Sequence, residues 1–362
     1  MDSHPEDVAS HIEPPQRSLW HVEQELRNYK RTLSSTKNKF SRPSYEKELR
    51  SYINFIDVIT GDSALQGHPL TTIPYKLRMY EFAASHGVEV PTVFRTWADP
   101  TDMQFEDLPD EFVVKADGGA SSEGVVPLRR AGEGKFERVD GLATYSSDDL
   151  RGLFGRLQAS GSTAPPIFAE ELLKQDRVDG IPNDVKIFTA YGEILMVMIR
   201  GVVEHGSPHG ITKRYVNARG ADLNGLIENL DNDMSLGVPS RLQDLIATAR
   251  HLSRAIGVPF CRVDLYGVQD RIVFGEITRA PGDYVTYMAD HDERMGHQWL
   301  TGRARLDIDC AAGRPSGILW GRESTLDLYP PRWIRPAGAH RTSISSCAEW
   351  CLESPARVAA SQ

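Results

Sequence analysis

Cysteine is scarce: Cys261, Cys310, Cys347 and Cys351 are the whole supply in 362 residues. They make no CxxC pair and no recognised zinc spacing. Cys347 and Cys351, four apart, can share a helix face and read as two reduced thiols. Positive charge is also short, with 41 Lys and Arg against 50 Asp and Glu and a formal net charge of −9. That balance argues against a nucleic-acid surface, which needs an excess of cations, but leaves room for a phosphate ligand held by a few aimed ones. Long apolar runs are missing too: the longest aliphatic stretch, Ile194–Ile199, is far below a membrane span. Met1–Ser10 is polar and acidic, unlike a signal peptide, so the expected location is the cytoplasm, with no membrane partner. Neither GxxxxGK(S/T) nor GxGxxG occurs, which removes the Walker and dinucleotide fingerprints. No repeat is visible, and no Ser/His/Asp arrangement announces a covalent nucleophile. Against these absences stands an ordinary soluble composition, 40% hydrophobic and 25% charged, long enough for two or three domains.

The densest signal is Phe260–Tyr284, FCRVDLYGVQDRIVFGEITRAPGDY. It reads as two strands, Phe260–Tyr266 and Arg271–Thr278, joined by a tight turn at Gly267–Asp270. Side chains alternate along a strand, so Arg262 and Asp264 share a side, as do Phe274, Glu276 and Thr278. Asp264 and Glu276 then face each other across the hairpin. Like charges repel, so a positive charge belongs between them. A hard divalent cation such as Mg²⁺, which takes carboxylate oxygens together with phosphates, is the expected one.

Upstream pieces supply cations and glycines. Residues 1–17 are polar and read as disordered, and Trp20–Ile59 has helical spacing broken near Ser41–Pro43. Thr71–Pro91 reads as a helix, then a strand. Thr71 or Thr72 caps it, Pro74 lies in the first turn, Leu77, Tyr80 and Ala84 form the apolar stripe, and Gly87 stops it. Lys76 sits where the macrodipole disfavours a cation, so an anionic partner is expected. In Glu111–Leu128 a β-run ending at Lys115 leads through Gly118, Gly119, Ser121, Ser122 and Gly124 into a second run. Glycine lets backbone N–H groups close over a phosphate, and Lys115 can reach the same group. A helix capped by Ser146 or Ser147 precedes a buried strand, Pro166–Leu173, whose Glu170 and Glu171 need partners or a cleft. The hairpin Asn183–Arg200 carries Asp184, Lys186 and Arg200, and a polar loop, Gly201–Gly220, holds His205, His209, Lys213 and Arg214. Lys213 and Arg214 suit an anion. Ser240 caps a clear helix to Ile256, ended by Gly257 and Pro259, and Met288–Trp299 reads as another. Gly321–Gln362 reads as a tail docking through Trp333 and Trp350.

In their order (Lys76, Lys115 with the glycines, Glu170 and Glu171, then Asp264 and Glu276) these pieces resemble the ATP-grasp superfamily. The phrases DVKIFTAYGE, RVDLYGV and FGEITRAPGD are similar to its TupA-like branch, associated with teichuronopeptide synthesis. The resemblance covers Pro74–Tyr284. It implies an α+β fold, the ATP-grasp, in which two α+β subdomains grip ATP, here with a helical N-terminal region. The boundaries it implies are a tail and helical region over 1–70, a preceding segment over 71–111, a lid subdomain over 112–172, a large subdomain with the magnesium site over 173–325, and a C-terminal tail over 326–362.

The same resemblance implies roles. Lys76 and Lys115 contact ATP phosphates, and Gly118, Gly119, Ser121, Ser122 and Gly124 form a mobile lid. The backbone around Glu171–Leu173 receives adenine with a nearby acid on the ribose, so that Glu170, Glu171, Leu172 and Lys186 join the nucleotide set. Asp264 and Glu276 hold Mg²⁺, with Thr278 standing where many members have Asn. Arg200 and Arg262 face the transferred phosphate, and Arg279 lies near the acyl acceptor. The implied reaction joins a carboxylate substrate to an amino-acid-like amine through an acyl phosphate, releasing ADP and phosphate, in cell-envelope or natural-product biosynthesis. A homodimer is left open. The rivals are a phosphotransferase on the same fold and a non-catalytic ATP-binding protein, which Thr278 keeps in play.

Overall fold

The computed structural model describes residues 26, 42–119, 123–175, 181–202, 204, 210–228, 230–268, 270–282, 285–323, 326–330, 350 and 351. Residues 1–42 form one unit, of which only Leu26 and Arg42 are described, and residues 43–362 form the other. The second unit opens with helix α1 (Tyr45–Gly61), capped by Ser44, whose hydroxyl accepts from the Lys47 N–H at 3.2 Å. Leu49, Tyr52, Ile56 and Ile59 recur at helical period and are buried. A short helix α2 (Pro69–Thr72), capped by His68, leads into α3 (Lys76–Ser85). The expected cap at Thr71 or Thr72 is therefore displaced: both are helical, and Tyr75 holds the N-cap of α3 without a side-chain bond.

Two antiparallel sheets follow. The first, in the order β1-β6-β2-β3-β4-β5, is built from β1 (Val93–Trp97), β2 (Glu111–Gly119), β3 (Val125–Gly132), β4 (Lys135–Arg138), β5 (Thr144–Ser146) and β6 (Thr163–Glu171). Helix α4 (Ser147–Ala159) starts at a capping box, with Ser146 and Asp149 serving each other's backbone N–H. Its Leu150 and Phe154 pack with Phe112, Val114, Leu128, Phe136 and Ile167 into a separate core. The second sheet, in the order β11-β10-β7-β8-β9, comprises β7 (Asp184–Ala190), β8 (Glu193–Val202), β9 (Ile211–Val216), β10 (Cys261–Val268) and β11 (Arg271–Thr278). Helix α5 (Leu242–Ile256) packs Leu245, Ala249 and Leu252 into the main core and ends at Gly257, φ +71°. Ser240 does not cap it; Arg241 holds that position without a side-chain bond.

Two further expectations are corrected. The supposed polar loop contains β9, so Lys213 and Arg214 lie on a strand, and Arg214 is bound to Asp222 at 2.8 and 3.1 Å. Helix α6 (Ala289–Ala311) runs twelve residues past the expected end at Trp299. After it, Ile318, Leu319 and Trp320 are buried in the main core; within the expected tail Tyr329 is buried there too, and Trp350 packs against the core. His205, His209, Trp333 and Cys347 lie outside the described residues. No helix among the described residues is long and apolar enough to cross a membrane.

Candidate functional site

Strands β10 and β11 pair with Arg262 opposite Thr278 and Asp264 opposite Glu276, so the two carboxylates do share one register position. The register slips immediately afterwards, and Phe274, not Gly275, pairs with Leu265. The alternation expected from Phe274 to Thr278 therefore breaks at a bulge, which adds one residue and re-aims the side chains beside it. Only glycine fits there: a Cβ on Gly275 would lie 2.9 Å from Tyr266 Cε2 and 3.0 Å from the Asp264 carbonyl oxygen.

The positive charge between the carboxylates comes from the chain itself. Arg262 Nε donates to Asp264 Oδ1 at 2.7 Å. Its Nη2 reaches Asp264 Oδ2 at 2.8 Å, Thr278 Oγ1 at 3.0 Å and Glu276 Oε1 at 3.3 Å. Lys186, opposite Asp264 on β7, donates to Asp264 Oδ2 and pairs with Asp184 at 2.9 Å. Arg200, opposite Asp184 on β8, closes the row with contacts of 2.9 and 3.1 Å to that carboxylate. Cations and carboxylates thus alternate across four neighbouring strands. Burial pushes Asp264 upward against the pull of Arg262 and Lys186. Burial alone would raise Glu276 as well, but Lys186, Arg262, Lys76 and Lys115 together hold it down at about 2. With its side chain 40% exposed, Glu276 is the ionised carboxylate with room to take a further ligand.

The other sheet brings lysines. Lys115 on β2 meets Glu170 on β6 at 2.5 Å. The Tyr80 hydroxyl donates to Glu170 at 2.7 Å and accepts from Lys115 at 3.3 Å. Tyr80 reads in the sequence as part of the apolar stripe; its signal was the hydroxyl, which must find a partner when buried. Lys76 is buried and donates to the carbonyls of Gly119 at 3.1 Å and Asp117 at 3.5 Å. Burial pushes its ammonium below the ordinary range, offset by Glu276 and reinforced by Lys115. Asp117, absent from the expected set, caps α3 from a distance by accepting from the Leu77 N–H at 2.7 Å.

Adjacent strand residues point to opposite faces, so Glu170 joins Lys115 while Glu171 turns away to Arg271 at 3.3 Å. Leu172 is buried just beyond β6. Gly118 and Gly119 close β2, and Gly124 follows at φ +69°, where a Cβ would sit 2.8 Å from Thr163 Cγ2. Ser121 and Ser122 lie outside the described residues. Arg279 stands apart from the row, donating to the Leu70 carbonyl at 3.4 Å. Among the described residues no group of three or more His, Cys, Asp and Glu is arranged to hold a metal ion. Asp264, Glu276 and Thr278 are nevertheless the hard oxygen donors that suit a divalent ion completing its shell with phosphates.

The family model described as TupA-like ATP-grasp matches residues 65–300. The chain belongs to the TupA-like ATP-grasp family. The match takes in Lys76, Lys115, Glu170, Asp264 and Glu276, and the two antiparallel sheets with their helices are the ATP-grasp fold. Among solved structures, this ATP-grasp chain resembles D-alanine–D-alanine ligase from Bacillus anthracis at 14% identity, over 67% of this chain and 70% of that one, with a TM-score of 0.41. D-alanyl-alanine synthetase A from Vibrio cholerae O1 biovar eltor str. N16961 matches at 14% over 68% and 67%, with a TM-score of 0.41. The macrocyclase MdnC from Microcystis aeruginosa MRC, bound with the precursor peptide MdnA, matches at 12% over 80% and 74%, with a TM-score of 0.34. These are distant likenesses, and the ATP-grasp assignment rests on the family match. No curated protein matches the chain.

Proposed function

We propose that this protein is an ATP-dependent carboxylate–amine ligase that forms an amide or peptide bond through an acyl phosphate and releases ADP and phosphate. The observation that carries the reading is the register pair Asp264–Glu276, bridged by Arg262 and flanked by Lys186 and Arg200. Lys76 and Lys115 take the ATP phosphates, with Gly118–Gly124 over them; the backbone around Glu171–Leu173 receives adenine, and Glu170 and Lys186 complete the nucleotide set. Asp264 and Glu276 would hold magnesium, with Thr278 as a third oxygen. When bound, the ion offsets the charge that develops on the phosphoryl oxygens. Phosphoryl transfer needs little covalent help from protein, so the work falls to fixed cations at the moving oxygens. Arg262 and Arg200 fill that role, each already held by a carboxylate and so needing little reorganisation. The substrate carboxylate attacks the γ-phosphorus; ADP leaves; the amine then displaces phosphate from the acyl carbon. Arg279, in the loop after Thr278, is assigned to the acyl-acceptor side. Water must be kept out while the acyl phosphate exists. The setting we propose is amino-acid ligation in cell-envelope or natural-product biosynthesis, in the cytoplasm.

A screen of acids and amines for ADP release, with product mass measured, tests the reading. Amine-dependent ADP and a product weighing the acid plus the amine less one water are expected. Amine-independent ADP with a phosphorylated acid or hydroxyl compound would make the protein a phosphotransferase instead.

A further inference from the structure

The family match ends at residue 300, yet residues 318–323 and 326–330 are built onto α3 along its length. The Leu319 N–H donates to the Ala255 carbonyl of α5 at 2.8 Å, and at the C-terminal end of α3 the Leu319 carbonyl meets His86 Nε2 at 3.0 Å. The Gly321 N–H donates to Ser85 Oγ at 3.0 Å, and the Arg78 guanidinium lies 4.2 Å from the centre of the Trp320 ring. Further back, the Leu328 N–H donates to Glu81 Oε1 at 3.3 Å. At the N-terminal end the Tyr329 hydroxyl donates to Asp117 Oδ2 at 3.0 Å. The other oxygen of Asp117 accepts from the Leu77 N–H at 2.7 Å, one residue after Lys76. The carbonyls of Asp117 and Gly119 hold the Lys76 ammonium. Asp117 is fully buried and Tyr329 is 7% exposed.

We infer that Tyr329 is a positioning residue for Lys76. Its hydroxyl fixes the Asp117 carboxylate, the carboxylate fixes the first turn of α3, and that turn and the Asp117 carbonyl aim the ammonium. The inference rests on Lys76 being an ATP phosphate ligand. Lysine carries its charge on a flexible stem, so its aim depends on what holds the backbone and the head group. A group that must meet a phosphate gains from a supporting shell locked by packing and hydrogen bonds. Without the Tyr329 hydroxyl, a buried carboxylate oxygen loses its donor, and the Asp117 side chain must turn to find another.

Calorimetry with magnesium and ATP on the full chain compares wild type with Lys76→Ala, Tyr329→Phe, Asp117→Asn, the Tyr329→Phe/Asp117→Asn pair, and Tyr52→Phe. The last is a control: the Tyr52 hydroxyl makes a buried bond of 2.8 Å to the Phe260 carbonyl, outside this network. Tyr329→Phe should bind ATP about fivefold more weakly, the loss of one net hydrogen bond. The pair should lose little more than Asp117→Asn alone, since the two act through one another. Tyr52→Phe should melt earlier yet keep wild-type affinity. Should Asp117→Asn not fold, Tyr329→Phe alone decides the matter. Unchanged affinity in Tyr329→Phe, with Lys76→Ala still impaired, would overturn the inference and leave the ATP reading standing. Equal weakening in Tyr52→Phe would reduce the effect to lost stability and also overturn it. Wild-type affinity in Lys76→Ala would remove the ATP role of Lys76 and the inference with it.

Discussion

Single residues carry the electrostatics of this site, and they can be tested one at a time. Asp264→Asn and Glu276→Gln keep shape while removing a charge, so each should lower turnover by orders of magnitude with little loss of folding. If both act through one metal, the double variant should be scarcely slower than either single one, as expected of groups working as a unit. Full turnover in either single variant would remove the carboxylate pair from the mechanism. Lys115→Ala should weaken ATP binding by about 1.5–3 kcal/mol, the range of a charge-assisted bond; calorimetry giving wild-type affinity would count against it. Asp117 provides a pH test. Burial pushes it up from 3.8 to about 6, partly resisted by the bonds from Leu77 and Tyr329 and by Lys76, and aided by Glu81; Tyr75 also faces it. The folded chain therefore keeps this proton where the unfolded chain has released it. The contribution to stability is full below about pH 4 and is lost as pH rises through about 6. The stability of wild type minus that of Asp117→Asn should fall between pH 4 and 7 in urea titrations, and a constant difference would contradict the assignment. Asp264 and Glu276 were legible in the sequence as two acids on neighbouring strands, but alternation unbroken from the turn would set Asp264 opposite Gly275, and it is the bulge that brings Glu276 into register. Asp117 and Tyr329 were not, because their partners lie 40 and 212 residues away.

Elements were legible where one local rule decided them. Helix α5 shows its buried stripe and its glycine stop, α4 its Ser146 cap, and the β10–β11 hairpin its two strands. They were illegible where a neighbour decided. Strand β9 is mostly half-exposed and rich in polar residues, so only its pairing with β8 makes it a strand. The N-terminus of α3 takes its cap from β2, which no local pattern announces. The bulge at Gly275 is the element-scale feature on which the site depends, and alternation alone passes over it. Gly275→Ala would drive a methyl against the Tyr266 ring and the Asp264 carbonyl. It should destabilise the protein by about 1–3 kcal/mol, the usual cost of overpacking, and weaken magnesium–ATP binding because Asp264 moves with it. A denaturation midpoint and a nucleotide affinity both equal to wild type would show that the bulge does not hold the carboxylates in place.

At the scale of the molecule, the order of motifs made the ATP-grasp fold legible, and the match over residues 65–300 bears it out. A docked tail was legible, but the core role of Ile318, Leu319, Trp320 and Tyr329 was not, because the described residues among 312–330 form no helix or strand and so offer no period to read. The division of labour proposed here gives lysines of the first sheet to the ATP phosphates and the charged row of the second to the phosphoryl group in flight. That division demands transfer of the terminal phosphoryl group, since adenylation would need the substrate carboxylate at the α-phosphorus instead. Phosphorus NMR of the reaction, run with an acid and amine pair that supports turnover, measures this directly. Resonances of ADP and inorganic phosphate growing together as ATP falls is the predicted result, and AMP with pyrophosphate would contradict the acyl-phosphate mechanism.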